Sequence, residues 1–97
     1  MKRESFIFTI GYDGDCAIVD GKAEKKYGKH TLDQLLDKGL FKAGLSYAVF
    51  TGESGDLEKV LQKYNSQTGR KIETAEQLKM VLGVHRFPEE ITKITRV

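Results

Sequence analysis

Residues 6–19 read FIFTIGYDGDCAIV, and their pattern predicts the fold class of this chain. Two runs rich in β-branched and aromatic residues flank an Asp-Gly pair of the kind that two-residue hairpin loops require. The pattern therefore predicts a β-hairpin with Asp13 and Gly14 as its loop. In that register one face of the hairpin is apolar and is expected to pack on helices; its members are Phe6, Phe8, Ile10, Ala17 and Val19.

The segment that follows the hairpin, residues 22–27, fits either a helix or a strand. A second Asp-Gly pair precedes it and could begin another hairpin, whereas its composition favours a helix. In the strand alternative, Lys22 and Glu24 would lie on the apolar face. Both structures stay open at this point.

Three later stretches carry the start and stop signals of helices. Residues 31–39 begin with a Thr-x-x-Gln capping box and end in glycine, and residues 74–83 show the same arrangement. Residues 56–67 carry apolar side chains at positions i, i+3, i+4 and i+7 and precede Gly69. We therefore predict a helix in each stretch.

Residues 40–50 fit two structures. Phe41, Leu45 and Val49 have helical spacing, and the run from residue 45 to 51 also fits a buried strand. We favour the helix. The absence of charged residues from 43 to 51 predicts that this segment is the most buried one.

The last residues also have two interpretations. Pro88, Glu89 and Glu90 are typical of a first helical turn, whereas residues 91–97 are rich in β-branched residues. We favour a C-terminal strand that returns beside the hairpin. The predicted fold is a single α+β domain over residues 1–97, with an N-terminal β-hairpin packed against a layer of three to four helices.

Charge and cysteine content narrow the function classes. Sixteen Lys and Arg against fourteen Asp and Glu leave a net charge of +2, which is small for a nucleic-acid-binding protein. Cys16 is the only cysteine, so an internal disulfide is excluded and a reducing, cytoplasmic location is expected. No apolar stretch approaches the length of a membrane span, so no membrane partner is expected.

Two loops share features with ligand sites but lack the residues that such sites need. Residues 51–56 precede a helix, yet a phosphate loop would end in Gly-Lys-Ser or Gly-Lys-Thr, so a helix cap by Ser54 or Asp56 is favoured. The aspartates at 13, 15 and 20 would lie close together on the hairpin, but their spacing matches no calcium loop. We predict no metal, no cofactor and no catalytic residues.

Basic residues are the candidate interaction residues. The denser group surrounds Tyr27 and consists of Lys25, Lys26, Lys29 and His30, and a second group consists of His85, Arg86 and Lys93. No constellation of nucleophile, base and ligands is present. The leading hypothesis is a non-catalytic module that binds an unidentified protein partner or forms a homodimer, with an edge strand of the hairpin or the tail pairing across the dimer.

Residues 74–86, TAEQLKMVLGVHR, resemble the first helix and turn of helix-turn-helix DNA-binding proteins. The resemblance implies that Gly83 makes the turn and that Val84 is its buried residue. It departs from that pattern at Lys79, where such proteins usually have a small residue. Nucleic-acid binding through residues 74–94 is therefore the alternative hypothesis, and it predicts salt-sensitive binding that weakens when Arg86 or Lys93 is replaced by Ala.

A third hypothesis is a small enzyme or redox protein that uses Cys16. It predicts a depressed thiol pKa and loss of activity in Cys16→Ser.

Overall fold

The computed structural model describes residues 2–84 and 91–97, which form six helices and three strands. In chain order these are α1 (Arg3–Ile7), β1 (Thr9–Asp13), β2 (Cys16–Val19), α2 (Gly21–Tyr27), α3 (Leu32–Asp37), α4 (Phe41–Thr51), α5 (Ser54–Thr68), α6 (Ala75–Leu82) and β3 (Lys93–Arg96). The predicted α+β class is confirmed, with more helices than expected. Pro88, Glu89 and Glu90 lie outside the described residues.

The three strands form one mixed sheet in the order β1-β2-β3. β1 and β2 are antiparallel, and β3 pairs with β2 in parallel, so the expected return of the C-terminal strand beside the hairpin is confirmed. The central strand β2 carries Ala17 and Val19 on the face that packs on the helices, and both are fully buried. β1 and β3 are therefore the two edges of the sheet.

The predicted loop of the hairpin is wrong by one residue, so the strand partners next to the loop differ from the predicted ones by two residues. Asp13 pairs with Cys16, so the two-residue loop consists of Gly14 and Asp15. Only Gly14 has a positive φ in this loop, which is the pattern of a type II′ turn with glycine at the first central position. The register also shifts between Thr9 and Gly11, which leaves Ile10 in a bulge. Ile10 is 60 % exposed and is not a core residue.

The predicted first strand is also too long at its start. Phe6 and Ile7 belong to α1, although the β propensity of residues 6–8 favours a strand. The helical turn buries Phe6, Ile7 and Phe8 and places the hydroxyl of Ser5 on the side chain of Glu24. Tertiary contacts therefore override local propensity in this short segment.

Two neighbouring groups of buried side chains form the core. The helical group joins α3, α4, α5 and α6; its buried members are Leu32, Leu36, Leu45, Ala48, Val60, Leu61, Tyr64, Leu78 and Val84. The sheet-side group lies between the hairpin, α2 and α3; its buried members are Ile7, Phe8, Val19 and Leu35. Tyr47 of α4 packs against both groups and connects them.

The structure also tests the two predicted capping boxes and the segments that fit either a helix or a strand. The capping box of Thr31 and Gln34 is confirmed, and residues 22–27 and 41–51 are helical. At α6, Thr74 accepts from the backbone N–H of Gln77 as predicted, but the Gln77 side chain accepts from Glu73 instead of Thr74.

The predicted cap of α5 is wrong. Glu53 occupies the N-cap position without a side-chain hydrogen bond, and Ser54 is already helical. Asp56 instead accepts a hydrogen bond of 3.2 Å from the hydroxyl of Thr51, so its carboxylate is engaged within the loop.

Candidate interaction surface

The outer edge of β1 is not paired with any described strand. Asp13 and Cys16 close the hairpin loop, so their backbone groups face each other across it. Because residues alternate along an antiparallel ladder, the N–H and C=O of Tyr12 point away from β2. No hydrogen bond from another described residue reaches the backbone of Ile10 or Tyr12 on this side. The side chains of Ile10 and Tyr12 are 60 % and 40 % exposed.

Two cavities flank this edge. A smaller one of about 150 Å³ lies between β1 and α4 and is bordered by Tyr12 and Val84. A larger one of about 380 Å³ is lined mainly by apolar side chains of β1, α2 and α4; these include Phe8, Ile10, Ala23, Tyr27, Leu40 and Phe41. Thr9, Ile10 and Lys42 border both cavities. We call β1, the two cavities and Lys42 the β1 edge surface.

Three charged side chains lie on the β1 edge surface. Asp20 in the larger cavity caps α2 by accepting from the backbone N–H of Ala23. Lys42 is exposed on α4, and Asp13 is exposed at the end of β1. Neither of these two side chains has a hydrogen bond or an ion pair with another described residue, whereas Lys59 and Lys63 pair with Asp33 and Asp37.

Tyr12 contributes a neutral hydroxyl to the same surface. Partial burial raises the pKa of Tyr12 above its usual value of about 10, because burial disfavours the phenolate. The side chain is therefore uncharged at neutral pH.

The predicted basic group around Tyr27 borders the larger cavity. Lys25, Lys26 and Lys29 are exposed, and the Nζ of Lys26 lies 5.2 Å from the centroid of the Tyr27 ring. The ring of His30 meets the same ring edge-on at 5.3 Å. Tyr27 also stacks on Phe8 at 6.3 Å, so the basic group is connected to the lining of the cavity.

Of the second predicted group the structure describes Lys93, which borders neither cavity. Lys93 lies at the start of β3, where its backbone N–H bonds the carbonyl of Asp15 beside the hairpin loop. The start of α2 lies at the other end of β3, where Gly21 bonds Val97. Lys93 and Ile94 are on a strand, and His85 and Arg86 lie outside the described residues.

A polar cluster not predicted from the sequence connects α1, α2 and β3. Glu24 accepts hydrogen bonds from the Nε of Arg96 at 2.8 Å and from the hydroxyl of Ser5 at 2.9 Å, and Arg96 also donates to Ser5 at 3.3 Å. The hydrogen bond from Arg96 is the main cause of a lowered pKa at Glu24. A weakly basic carboxylate beside a hydroxyl that is 2 % exposed fits a structural role better than catalysis.

Of the residues that suggested metal binding or thiol chemistry, Cys16, Asp15 and Asp20 have other contacts, and the side chain of Asp13 has none with a described residue. Cys16 Sγ lies 3.1 Å from the hydroxyl of Thr95, and Asp20 caps α2 by accepting from Ala23. Asp15 accepts from the hydroxyl of Thr92. Within residues 2–84 and 91–97, no three His, Cys, Asp or Glu side chains are grouped to hold a metal ion.

Sequence reasoning missed Ile10, Tyr12, Asp13 and Lys42 as surface residues. The bulge at Ile10 accounts for its exposure, because without it either placement of the loop would put Ile10 on the face of Ala17 and Val19. Lys42 carries no local signal, because its significance comes from its position beside a strand that lies 29 to 33 residues earlier.

Comparison with known proteins identifies no relative, since no protein-family model, no curated protein and no solved structure matches this chain. No helix in the part of the chain that the structure describes is long and apolar enough to cross a membrane. The function is therefore inferred from the geometry of the chain itself.

Proposed function

We propose that this chain is a non-catalytic protein-interaction module that binds an extended polypeptide segment along the outer edge of β1. The observation that carries the proposal is the backbone of Tyr12, which lies between two cavities and has no described hydrogen-bond partner on its outer side. In strand addition, backbone hydrogen bonds supply affinity, and pockets for alternate side chains supply specificity. The β1 edge surface offers both.

The lining of the larger cavity indicates the chemistry of the bound segment. Its side chains from β1, α2 and α4 are mainly aliphatic and aromatic, so an apolar side chain of the ligand would be buried there. Lys42 at the rim has no described anionic partner and would attract a carboxylate. The favoured ligand segment is therefore extended, apolar at alternate positions and acidic at one end.

The other edge of the sheet makes a poor site for the same interaction. β3 has only four residues, and two of them are Lys93 and Arg96. Short, charged edge strands disfavour the addition of another strand. Strand addition is therefore favoured at β1 over β3.

A display library of short peptides tests the proposal. Selected peptides are expected to bind the full chain and to bind Ile10→Asp at least about tenfold more weakly, because a charge would enter the apolar contact. Met80→Asp is the matched control, since Met80 is 82 % exposed and borders neither cavity.

A backbone readout separates strand addition from simple apolar binding. N-methylation of alternate peptide amides along one edge is expected to abolish binding, and N-methylation along the other edge is expected to preserve it. Peptides that bind Ile10→Asp as well as the unchanged chain, or that tolerate methylation along both edges, would refute the proposal.

A further inference from the structure

We infer that the segment bound along β1 is β1 of a second copy of this chain, so that the two sheets join into one. This inference rests on the proposed function and names the partner of the same surface. Two observations support the second copy: the register that β1 permits, and the charges of Lys42 and Asp13, which have no described partner.

The register follows from the position of Gly11. If two β1 strands pair antiparallel about Gly11, Ile10 of each copy lies opposite Tyr12 of the other. The outward N–H and C=O of Tyr12 then face the second copy's Ile10, which the bulge leaves without a partner in β2. Gly11 has no side chain, and apart from its two chain neighbours no described atom lies within 4 Å of where its Cβ would be, so no side chain crowds the twofold axis.

Charge complementarity supports the same register. Antiparallel pairing about Gly11 places Asp13 of one copy opposite Thr9 of the other. Lys42 borders both cavities together with Thr9, so it would lie near the second copy's Asp13. The twofold axis produces this Lys42–Asp13 pair twice, and it joins two side chains that have no described partner within one copy.

The same arrangement stops at two copies. A symmetric pairing uses the identical surface on both chains and is therefore closed. The free edges of the joined sheet would be the two β3 strands, each carrying Lys93 and Arg96. These charges oppose further strand addition, so we expect a dimer and not a fibre.

Sedimentation equilibrium of the full chain and two charge reversals tests the inference. The unchanged chain is expected to reach twice its monomer mass of 10.9 kDa. Asp13→Lys and Lys42→Asp are each expected to weaken association about tenfold or more, because each places like charges opposite one another twice. Mixing the two variants is expected to restore association as a heterodimer, since each reversed side chain then faces an opposite charge.

Two controls make the result specific. Lys71→Asp changes the same type of charge on the connection between α5 and α6, outside both cavities, and is expected to leave association unchanged. Lys42→Ala is expected to weaken association. If Lys42→Ala instead associates more tightly than the unchanged chain, Lys42 protects the edge from pairing and the inference is overturned.

The outcomes for the two proposals are separable. A chain that stays monomeric but binds selected peptides at β1 retains the proposed function and refutes the second copy as partner. A charge-dependent dimer restored by mixing supports both proposals. A dimer that ignores both reversals refutes this register, and a chain with neither dimer nor peptide binding refutes both proposals.

Discussion

The two edges of the sheet differ in chemistry and in how they are held. β1 presents exposed Ile10 and Tyr12 and carries its only charge at its last residue, Asp13. β3 is shorter, begins with Lys93, and is held near its other end by the contact of Arg96 with Glu24. The described residues thus stabilise the β3 edge and leave the β1 edge without a hydrogen-bonded neighbour.

Removing the contact that holds β3 is expected to have the largest effect on stability. Glu24→Ala would lose two hydrogen bonds and would leave the buried hydroxyl of Ser5 without its acceptor. We expect a loss of about 2 kcal/mol in the free energy of unfolding, measured by urea denaturation. Glu58→Ala is the control, because Glu58 bonds only Gln62 on an exposed helix face. Equal losses in the two variants would contradict a role of Glu24 in stabilising β3.

The same contact predicts a dependence of stability on pH. The hydrogen bonds from Arg96 and then Ser5 lower the pKa of Glu24 when the chain folds, although partial burial opposes the shift. Its contribution is therefore present above the unfolded pKa of about 4.3 and is lost as the pH falls through the lower folded pKa.

Glu24→Gln isolates this contribution, because the amide does not titrate. The stability difference between the unchanged chain and Glu24→Gln, measured in urea, is expected to shrink from neutral pH to about pH 3. A difference that stays constant over this interval would show that ionised Glu24 adds nothing to the fold.

A positive charge on β1 tests whether the charges of β3 are what distinguish the two edges. Ile10→Lys is expected to change the free energy of unfolding by less than about 0.5 kcal/mol, because Ile10 is mostly exposed. The same substitution is expected to shift sedimentation toward the monomer, since a charged edge disfavours pairing. A large loss of stability would instead show that Ile10 supports the fold of a single copy.

Lys93→Ala should have the smallest effect. Lys93 is exposed and has no ion pair with a described residue, so stability and association are expected to stay within about 0.5 kcal/mol of the unchanged chain. The variant also tests the helix-turn-helix hypothesis. Duplex-DNA binding that weakens with salt and is reduced in Lys93→Ala would favour that hypothesis over the interaction module.

Local signals in the sequence were sufficient for most helices. The capping box at Thr31 and the glycines that end α3, α5 and α6 act within a few residues, so they can be read without the fold. The register of the hairpin depends on whether Asp13-Gly14 or Gly14-Asp15 forms the two-residue loop, and the residue preferences of such loops permit both. The exposure of Ile10 follows from the bulge between Thr9 and Gly11, which these preferences do not predict.

The candidate surface was predicted only in outline. An edge strand of the hairpin was expected to pair across a dimer, and the basic group around Tyr27 does border the larger cavity. The positions of Lys42 beside β1 and of Arg96 beside Glu24 follow from tertiary packing across dozens of residues. No spacing rule in a single sequence encodes such contacts.

The parallel pairing of β3 has a consequence for synthesis of the chain. β3 meets β2 across a wide separation, as in the hydrogen bond between Thr92 and Asp15, which are 77 residues apart. A nascent chain that has just emerged with its hairpin would therefore have both sides of the hairpin unpaired until the last strand is made. Contacts of such long separation form late. Two nascent chains that meet before β3 is made would therefore meet while both sides of each hairpin are open to a strand of the other chain.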